Sequence, residues 1–133
     1  MTTAEFTANY NASFEAAFKG IEAFEGDKKI SFDAAMDICM KLMLKTQSEN
    51  KKIMFAGNGG SAGITSHMAV DFWKNGKIRA TAFNDSSLLT CLANDISFEK
   101  VFSTPMEMFG DRGDVAMCIS SSGSSKNILN AAE

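Results

Sequence analysis

Apolar positions along this chain follow two different periods, and the change of period marks its architecture. Phe6, Tyr10, Phe14, Phe18, Ile21 and Phe24 recur every three or four residues, which predicts an aromatic stripe along one face of a helix. Thr2 and Glu5 have the spacing of a capping box at its start. The stripe fits both a helix bundle formed between subunits and an ordinary core-facing helix, exposed apolar stripes of this size being rare on monomers. Ser31 is placed to cap a second helix reaching about Glu49, with Phe32, Met36, Cys39, Met43 and Leu44 on its apolar face. Gly26 and Asp27 mark the turn before it.

After Lys51 and Lys52 the helical period gives way to Ile53-Met54-Phe55-Ala56, a short continuous apolar run closed by glycine, the pattern of a strand buried on both faces. A helix over Ser61 to Trp73 follows, then a strand over Ile78 to Phe83, a short helix over Ser86 to Ala93 and another over Phe98 to Phe109. Asp114 to Ile119 reads as a third strand, and Lys126 to Glu133 as the start of a further helix. Strands alternating with helices predict an α/β fold with a parallel sheet and right-handed crossovers. The single proline, Pro105, sits near a helix start or kink, and no linker or repeat interrupts the pattern. Open sheets of this kind usually hold more than three strands, so the expectation is a fold truncated after the third.

A length of 133 residues suits one domain, read as a helical part over 1–50 and an α/β part over 51–133. The apolar share of 45% and charged share of 22% are those of a folded globular chain. A net charge of −3 supplies no basic field to attract nucleic acid or an anionic membrane. The N-terminal region lacks the basic start and continuous apolar stretch of a secretory signal, so the expected setting is cytoplasmic. Cys39, Cys91 and Cys118 are widely spaced among apolar neighbours, which argues against a disulfide framework or structural zinc and predicts buried thiols.

Two strand-to-helix turns carry the candidate chemistry. Gly57-Asn58-Gly59-Gly60-Ser61 permits tight turning and close ligand approach ahead of a helix whose first N–H groups are free to meet an anion or a sugar oxygen. Ser120-Ser121-Ser122-Gly123-Ser124-Ser125 offers five hydroxyls in six residues, enough to surround a phosphate without arginine or lysine. Both turns follow parallel strands, where open α/β sheets place their ligands. Asn94 and Asp95 add an amide and a carboxylate suited to sugar hydroxyls. His67 and Asp71, four apart on one helix face, have the spacing of a metal-ligand pair or a base beside an acid, though also of a plain surface hydrogen bond.

Taken in order, Gly57-Asn58-Gly59-Gly60-Ser61, His67, Leu89-Thr90-Cys91-Leu92-Ala93-Asn94-Asp95, Gly113-Asp114-Val115 and Ile119 to Asn127 resemble the phosphoheptose isomerases of the SIS superfamily over nearly the whole chain. The resemblance implies a SIS-type three-layer sandwich, a parallel sheet flanked by helices and preceded by two N-terminal helices. It implies isomerisation of sedoheptulose 7-phosphate to D-glycero-D-manno-heptose 7-phosphate, an aldose–ketose conversion serving lipopolysaccharide or capsule heptose, usually in a homotetramer. On the matching positions, Asn58, Gly59, Gly60, Ser61, Asn94 and Asp95 would contact the sugar, and Ser120, Ser121, Ser122 and Ser125 the phosphate. His67 and Asp71 would be the catalytic pair, and candidate ligands for the zinc that some members hold; no nucleotide cofactor is implied. Asp71 stands where the family carries a glutamate base, one methylene longer, and the family's C-terminal glutamine and histidine have no counterpart.

Two other readings share these residues. A non-catalytic SIS-fold protein that binds phosphosugars or assembles with a partner, such as the replication initiator, accommodates the shortened carboxylate. A dinucleotide fingerprint over Gly57, Gly59 and Ala62 with Asp85 as ribose acid leaves the serine loop unexplained.

Overall fold

The computed structural model describes residues 1–133, which form two compact units, Met1–Leu42 and Met43–Glu133. In the first, α1 spans Thr3–Lys19, started by the expected capping box: Thr2 Oγ1 accepts from the Glu5 N–H, and the Glu5 carboxylate accepts from the Thr2 N–H. Its aromatic stripe is exposed, and no residue of α1 is buried. The rings of Phe6, Tyr10, Phe14 and Phe18 contact one another in sequence, with centroids 6.4, 6.4 and 5.0 Å apart. The helix stops earlier than its stripe predicts. Gly20 caps it, and the two last stripe positions lie beyond, with Phe24 in the strand β1 (Ala23–Glu25). This strand pairs antiparallel with β2 (Lys28–Ile30) around the Gly26-Asp27 turn. The hairpin escapes the periodicity because three-residue strands are too short to express a period.

Helix α2 (Phe32–Ser48) begins where Ser31 Oγ accepts from the Ala34 N–H. Of its predicted apolar face, Met43 packs into the core of the second unit, whereas Phe32, Met36, Cys39 and Leu44 are exposed.

The second unit is built around β3 (Lys52–Gly57), the centre of a parallel sheet ordered β4-β3-β5, with β4 at Arg79–Ala82 and β5 at Val115–Ile119. Strand alternation sends Ile53 and Phe55 to one face and Met54 and Ala56 to the other, and all four are buried. Helix α3 (Gly60–Lys74) covers the first face, with Ala69 buried and the Phe72 ring 5.6 Å from that of Phe55. The second face is covered by α4 (Ser86–Asp95), α5 (Ser103–Phe109) and α6 (Lys126–Ala132), which contribute Leu88, Leu92, Met106 and Ile128 alongside Val101 and Phe102. The result is the expected helix–sheet–helix sandwich.

Two expectations are corrected here. The helix foreseen over Phe98 to Phe109 is broken into a single 3-10 turn at Phe98–Lys100 and α5. Pro105 lacks an N–H, and its ring excludes the carbonyl four residues back, at Val101, so an α-helix cannot run through from Phe98. The cysteines are not uniformly buried: Cys39 and Cys91 are exposed and Cys118 half-buried. Their apolar sequence neighbours are spread over several faces of the elements that hold them, so local composition says little about any one side chain.

At the base of the sheet, Lys52 Nζ lies 2.5 Å from Asp114 and 2.9 Å from Asp111. Asp114 also accepts from the N–H groups of Lys52 and Asp111, at 2.9 and 2.7 Å. This network ties the start of β3 to the turn before β5. No helix is long and apolar enough to cross a membrane.

Candidate functional site

Gly57 ends β3 paired with Ile119 of β5, so the glycine turn and the serine loop leave adjacent parallel strands at the same end of the sheet. A Cβ at Gly57 would lie 2.7 Å from the Ser61 carbonyl oxygen and 2.8 Å from its carbon, so the close return of α3 onto the strand requires glycine. Gly59 has φ +53 and ψ −119, a conformation other residues rarely adopt. The turn bonds to itself through the N–H groups of Ser61 and Ala62, which donate to Asn58 and Gly59 carbonyls, while those of Gly59 and Gly60 precede the first helical bonds.

In the second loop, Ser120, Ser122 and Ser125 gather their hydroxyls, the Ser122 oxygen lying 3.5 Å from each of the other two. Ser120 Oγ accepts from the Gly123 N–H, and Ser122 Oγ from that of Ser124. Ser125 is the N-cap residue of α6, yet its hydroxyl makes no cap bond and faces Ser122 instead. Capping therefore does not account for this cluster. Donors that turn toward one another with open backbone N–H groups beside them suit a tetrahedral anion.

The two loops are joined directly. Asn58 Nδ2 donates to Asn127 Oδ1 and Asn127 Nδ2 to Asn58 Oδ1, both at 2.9 Å, and Asn127 is 3% exposed. A third amide, Asn84, follows β4 and donates to the Ala62 carbonyl and toward the hydroxyls of Thr65 and Ser66, holding the first turns of α3. Its Oδ1 is buried without a hydrogen-bond partner. Neither Asn84 nor Asn127 stands out in sequence, because one lone asparagine in a turn or helix looks like any other. Asn127 belongs to the stretch that resembles the family, which was the one signal available.

Asn94 and Asp95 lie at the exposed end of α4 and bond to each other at 2.8 Å; Cys91 Sγ donates to Asp95 at 3.4 Å. These two bonds, from Asn94 foremost and then Cys91, hold the Asp95 carboxyl below the usual carboxylate range. The same contact raises the Cys91 thiol, and burial raises that of Cys118.

His67 Nε2 and Asp71 Oδ2 are 3.3 Å apart, and Asn75 Nδ2 donates to Asp71 Oδ1 at 3.1 Å. Ten residues of helix separate Ser61 from Asp71, roughly 15 Å along the axis. The pair makes no hydrogen bond to either loop, and Asp71 instead lines a shallow hollow with Met68, Phe72 and Gly76. As a zinc site the pair does not suffice, since no group of three or more His, Cys, Asp or Glu side chains comes together in this chain. Two donors on an exposed helix face leave the coordination half made.

A match to the SIS domain family covers residues 10–133. The chain is 33% identical to a phosphoheptose isomerase from Akkermansia muciniphila, over 97% of this chain and 67% of that protein. It is 37% identical to one from Thermodesulfovibrio yellowstonii, over 70% of this chain and 49% of that protein. The chain thus spans about half to two thirds of the length of the curated relatives it matches. Its fold is similar to that of phosphoheptose isomerase from Neisseria gonorrhoeae, with a TM-score of 0.76 and 32% identity over 98% of this chain and 68% of that one. A phosphoheptose isomerase from Francisella tularensis, at 22% identity and a TM-score of 0.79, has the same fold over 99% of this chain and 69% of that one.

Proposed function

The chain belongs to the SIS domain family and, within it, to the phosphoheptose isomerases, and from that membership we propose that it binds a phosphosugar and takes part in aldose–ketose isomerisation of sedoheptulose 7-phosphate to D-glycero-D-manno-heptose 7-phosphate. The observation that carries the reading is the hydroxyl cluster of Ser120, Ser122 and Ser125, unused for capping and tied through Asn127 to the glycine turn. In this reading Ser120, Ser121, Ser122 and Ser125 with the open N–H groups of the loop hold the phosphate. Asn58, Gly59, Gly60 and Ser61 bound the sugar, and Asn94 with the ionised Asp95 accepts and donates to its hydroxyls.

The reaction removes a proton from the carbon beside the carbonyl, passes through an enediol, and returns a proton to the former carbonyl carbon. Asp71 is the proposed base, with His67 as proton donor. Because Asp71 sits far along α3 from the loops of its own chain, the reading includes an oligomer, proposed as a tetramer, in which this pair meets the loops of a neighbouring copy. The exposed aromatic stripe of α1 supports such an assembly. Heptose supply for lipopolysaccharide or capsule and a cytoplasmic setting belong to the same proposal.

A second reading, a phosphosugar-binding or assembly protein without turnover, is favoured by the mutual pairing of His67 and Asp71 away from the loops. One experiment separates the two. Sedoheptulose 7-phosphate is followed by proton NMR in heavy water with the purified chain, and its affinity is measured by calorimetry. The proposal expects binding, exchange at the carbon beside the carbonyl, and severe loss of affinity in Ser121→Ala with Ser122→Ala. Binding without exchange moves the chain to the second reading, and unchanged affinity in the double variant overturns the phosphate-loop assignment.

A further inference from the structure

Asn58 and Asn127 are 69 residues apart in sequence, one leaving β3 and the other in the first turn of α6, yet their amides form a closed pair with two reciprocal hydrogen bonds. Each supplies one donor and one acceptor, and Asn127 is shut away from water with no other partner. Such a pair is selective. Glutamine is a methylene too long, alanine leaves the opposite amide with nothing to bond, and an ionised aspartate sets two oxygens against each other. The bonds fix the distance between the glycine turn and the helix that closes the serine loop, which the sheet alone leaves free beyond the Gly57–Ile119 pairing.

We infer that Asn127 is a positioning residue that holds the sugar-side turn and the phosphate-side loop in register through Asn58, so that one phosphosugar can engage both. The inference rests on the proposed phosphosugar site. It also changes the part played by Asn58: one N–H and one lone pair of its amide are committed to Asn127, so its first duty is as a strut, and only the remainder is free for sugar.

The test uses Asn127→Asp, whose carboxyl reproduces the amide pair only when protonated, its O–H then donating to Asn58 Oδ1 while its carbonyl accepts from Asn58 Nδ2. Binding of sedoheptulose 7-phosphate is measured by calorimetry at pH 5 and pH 8, each normalised to the unmodified protein at the same pH. The flanking charges of Lys126 and Glu99 pair with each other at 3.0 Å and are common to both proteins. The expected result is an affinity roughly tenfold lower at pH 8, recovering toward that of the unmodified protein at pH 5, because burial at this 3% exposed position raises the introduced carboxyl well above the ordinary value of about 4. Asn127→Ala should be weak at both, and the double variant with Asn58→Ala no weaker than Asn58→Ala alone. A loss independent of pH in Asn127→Asp, or additive losses in the double variant, overturns the inference.

A second readout needs no ligand and so stands if the phosphosugar reading fails. In Asn127→Asp, the amide resonances of Gly59, Gly60 and Ser61 should move away from those of the unmodified protein at pH 8 and return at pH 5. Resonances that coincide at pH 8 refute the coupling whatever the protein binds. Should Asn127→Asp not fold at pH 8, Asn58→Asp places the same titrating group on the half-buried partner and is held to the same two outcomes.

Discussion

Gly57 and Gly60 look interchangeable in the sequence, and the structure separates them sharply. An alanine Cβ at Gly57 would stand 2.7 Å from the Ser61 oxygen and 2.8 Å from its carbon, roughly 0.7 Å inside ordinary contact, and both atoms are backbone of the first turn of α3. No rotamer change relieves that overlap, so strand and helix must separate at a point where β3 is wholly buried. Overpacking of this kind costs about 1–3 kcal/mol. With a urea slope of about 2 kcal/mol/M, the denaturation midpoint of Gly57→Ala should fall by roughly 1 M with the slope unchanged. Trp73, the sole tryptophan and a residue of α3, reports the transition through its fluorescence. At Gly60 an added Cβ meets nothing within 4 Å and the backbone is helical, so Gly60→Ala should leave stability unchanged or raise it by no more than about 1 kcal/mol. Its methyl would occupy the space proposed for ligand, so its phosphosugar affinity should fall instead. Equal midpoints for Gly57→Ala and the unmodified protein, or a greater loss in Gly60→Ala, would refute the reasoning.

Burial pushes the Asp114 carboxyl up, but hydrogen bonds from Lys52 and from the N–H groups of Asp111 and Lys52 hold it below the usual range; the Lys52 ammonium is raised by Asp114 first and Asp111 second. Asp114 thus contributes stability that is present above about pH 4 and lost as pH falls through its lowered pKa, while the Lys52 contribution is present below about pH 10 and lost as pH rises through its raised one. Asp114→Ala should cost about 3 kcal/mol at pH 7 and flatten the acid limb of the stability profile, read from urea midpoints between pH 3 and 11; an unchanged acid limb contradicts this. Replacing Phe6 and Phe14 by serine should lower the assembly mass in sedimentation velocity while far-ultraviolet dichroism keeps the helix; an unaltered mass excludes the stripe as an interface. Asp71→Glu should speed proton exchange on sedoheptulose 7-phosphate, by up to roughly a hundredfold, and Asp71→Asn abolish it; no gain from the longer carboxylate would show that reach is not limiting.

Much of this was legible in the chain because the signals are local. The buried run Ile53 to Ala56, the Thr2–Glu5 capping box, the glycine turn and the clustered serines each occupy a few consecutive residues, and each forces its own backbone geometry wherever the chain goes. The order of strands and helices followed from the same short patterns, and so did the parallel sheet. The hairpin around Gly26 did not, its strands being too brief to show a period, whereas the proline itself marked a helix start or kink near Pro105 although the apolar pattern ran on from Phe98. What joins the loops is non-local. The Asn58–Asn127 pair spans 69 residues, and the Lys52–Asp114 contact spans 62. The grip of Asn84 on α3 crosses from one strand end to the neighbouring helix. A lone asparagine or lysine carries no mark of the partner it will meet, since that meeting is decided only when the sheet has brought distant segments side by side. The spacing of His67 and Asp71 shows the same limit from the other direction: four residues of helix suffice to pair them, but only the tertiary structure reveals that the pair lies far along α3 from the loops of its own chain.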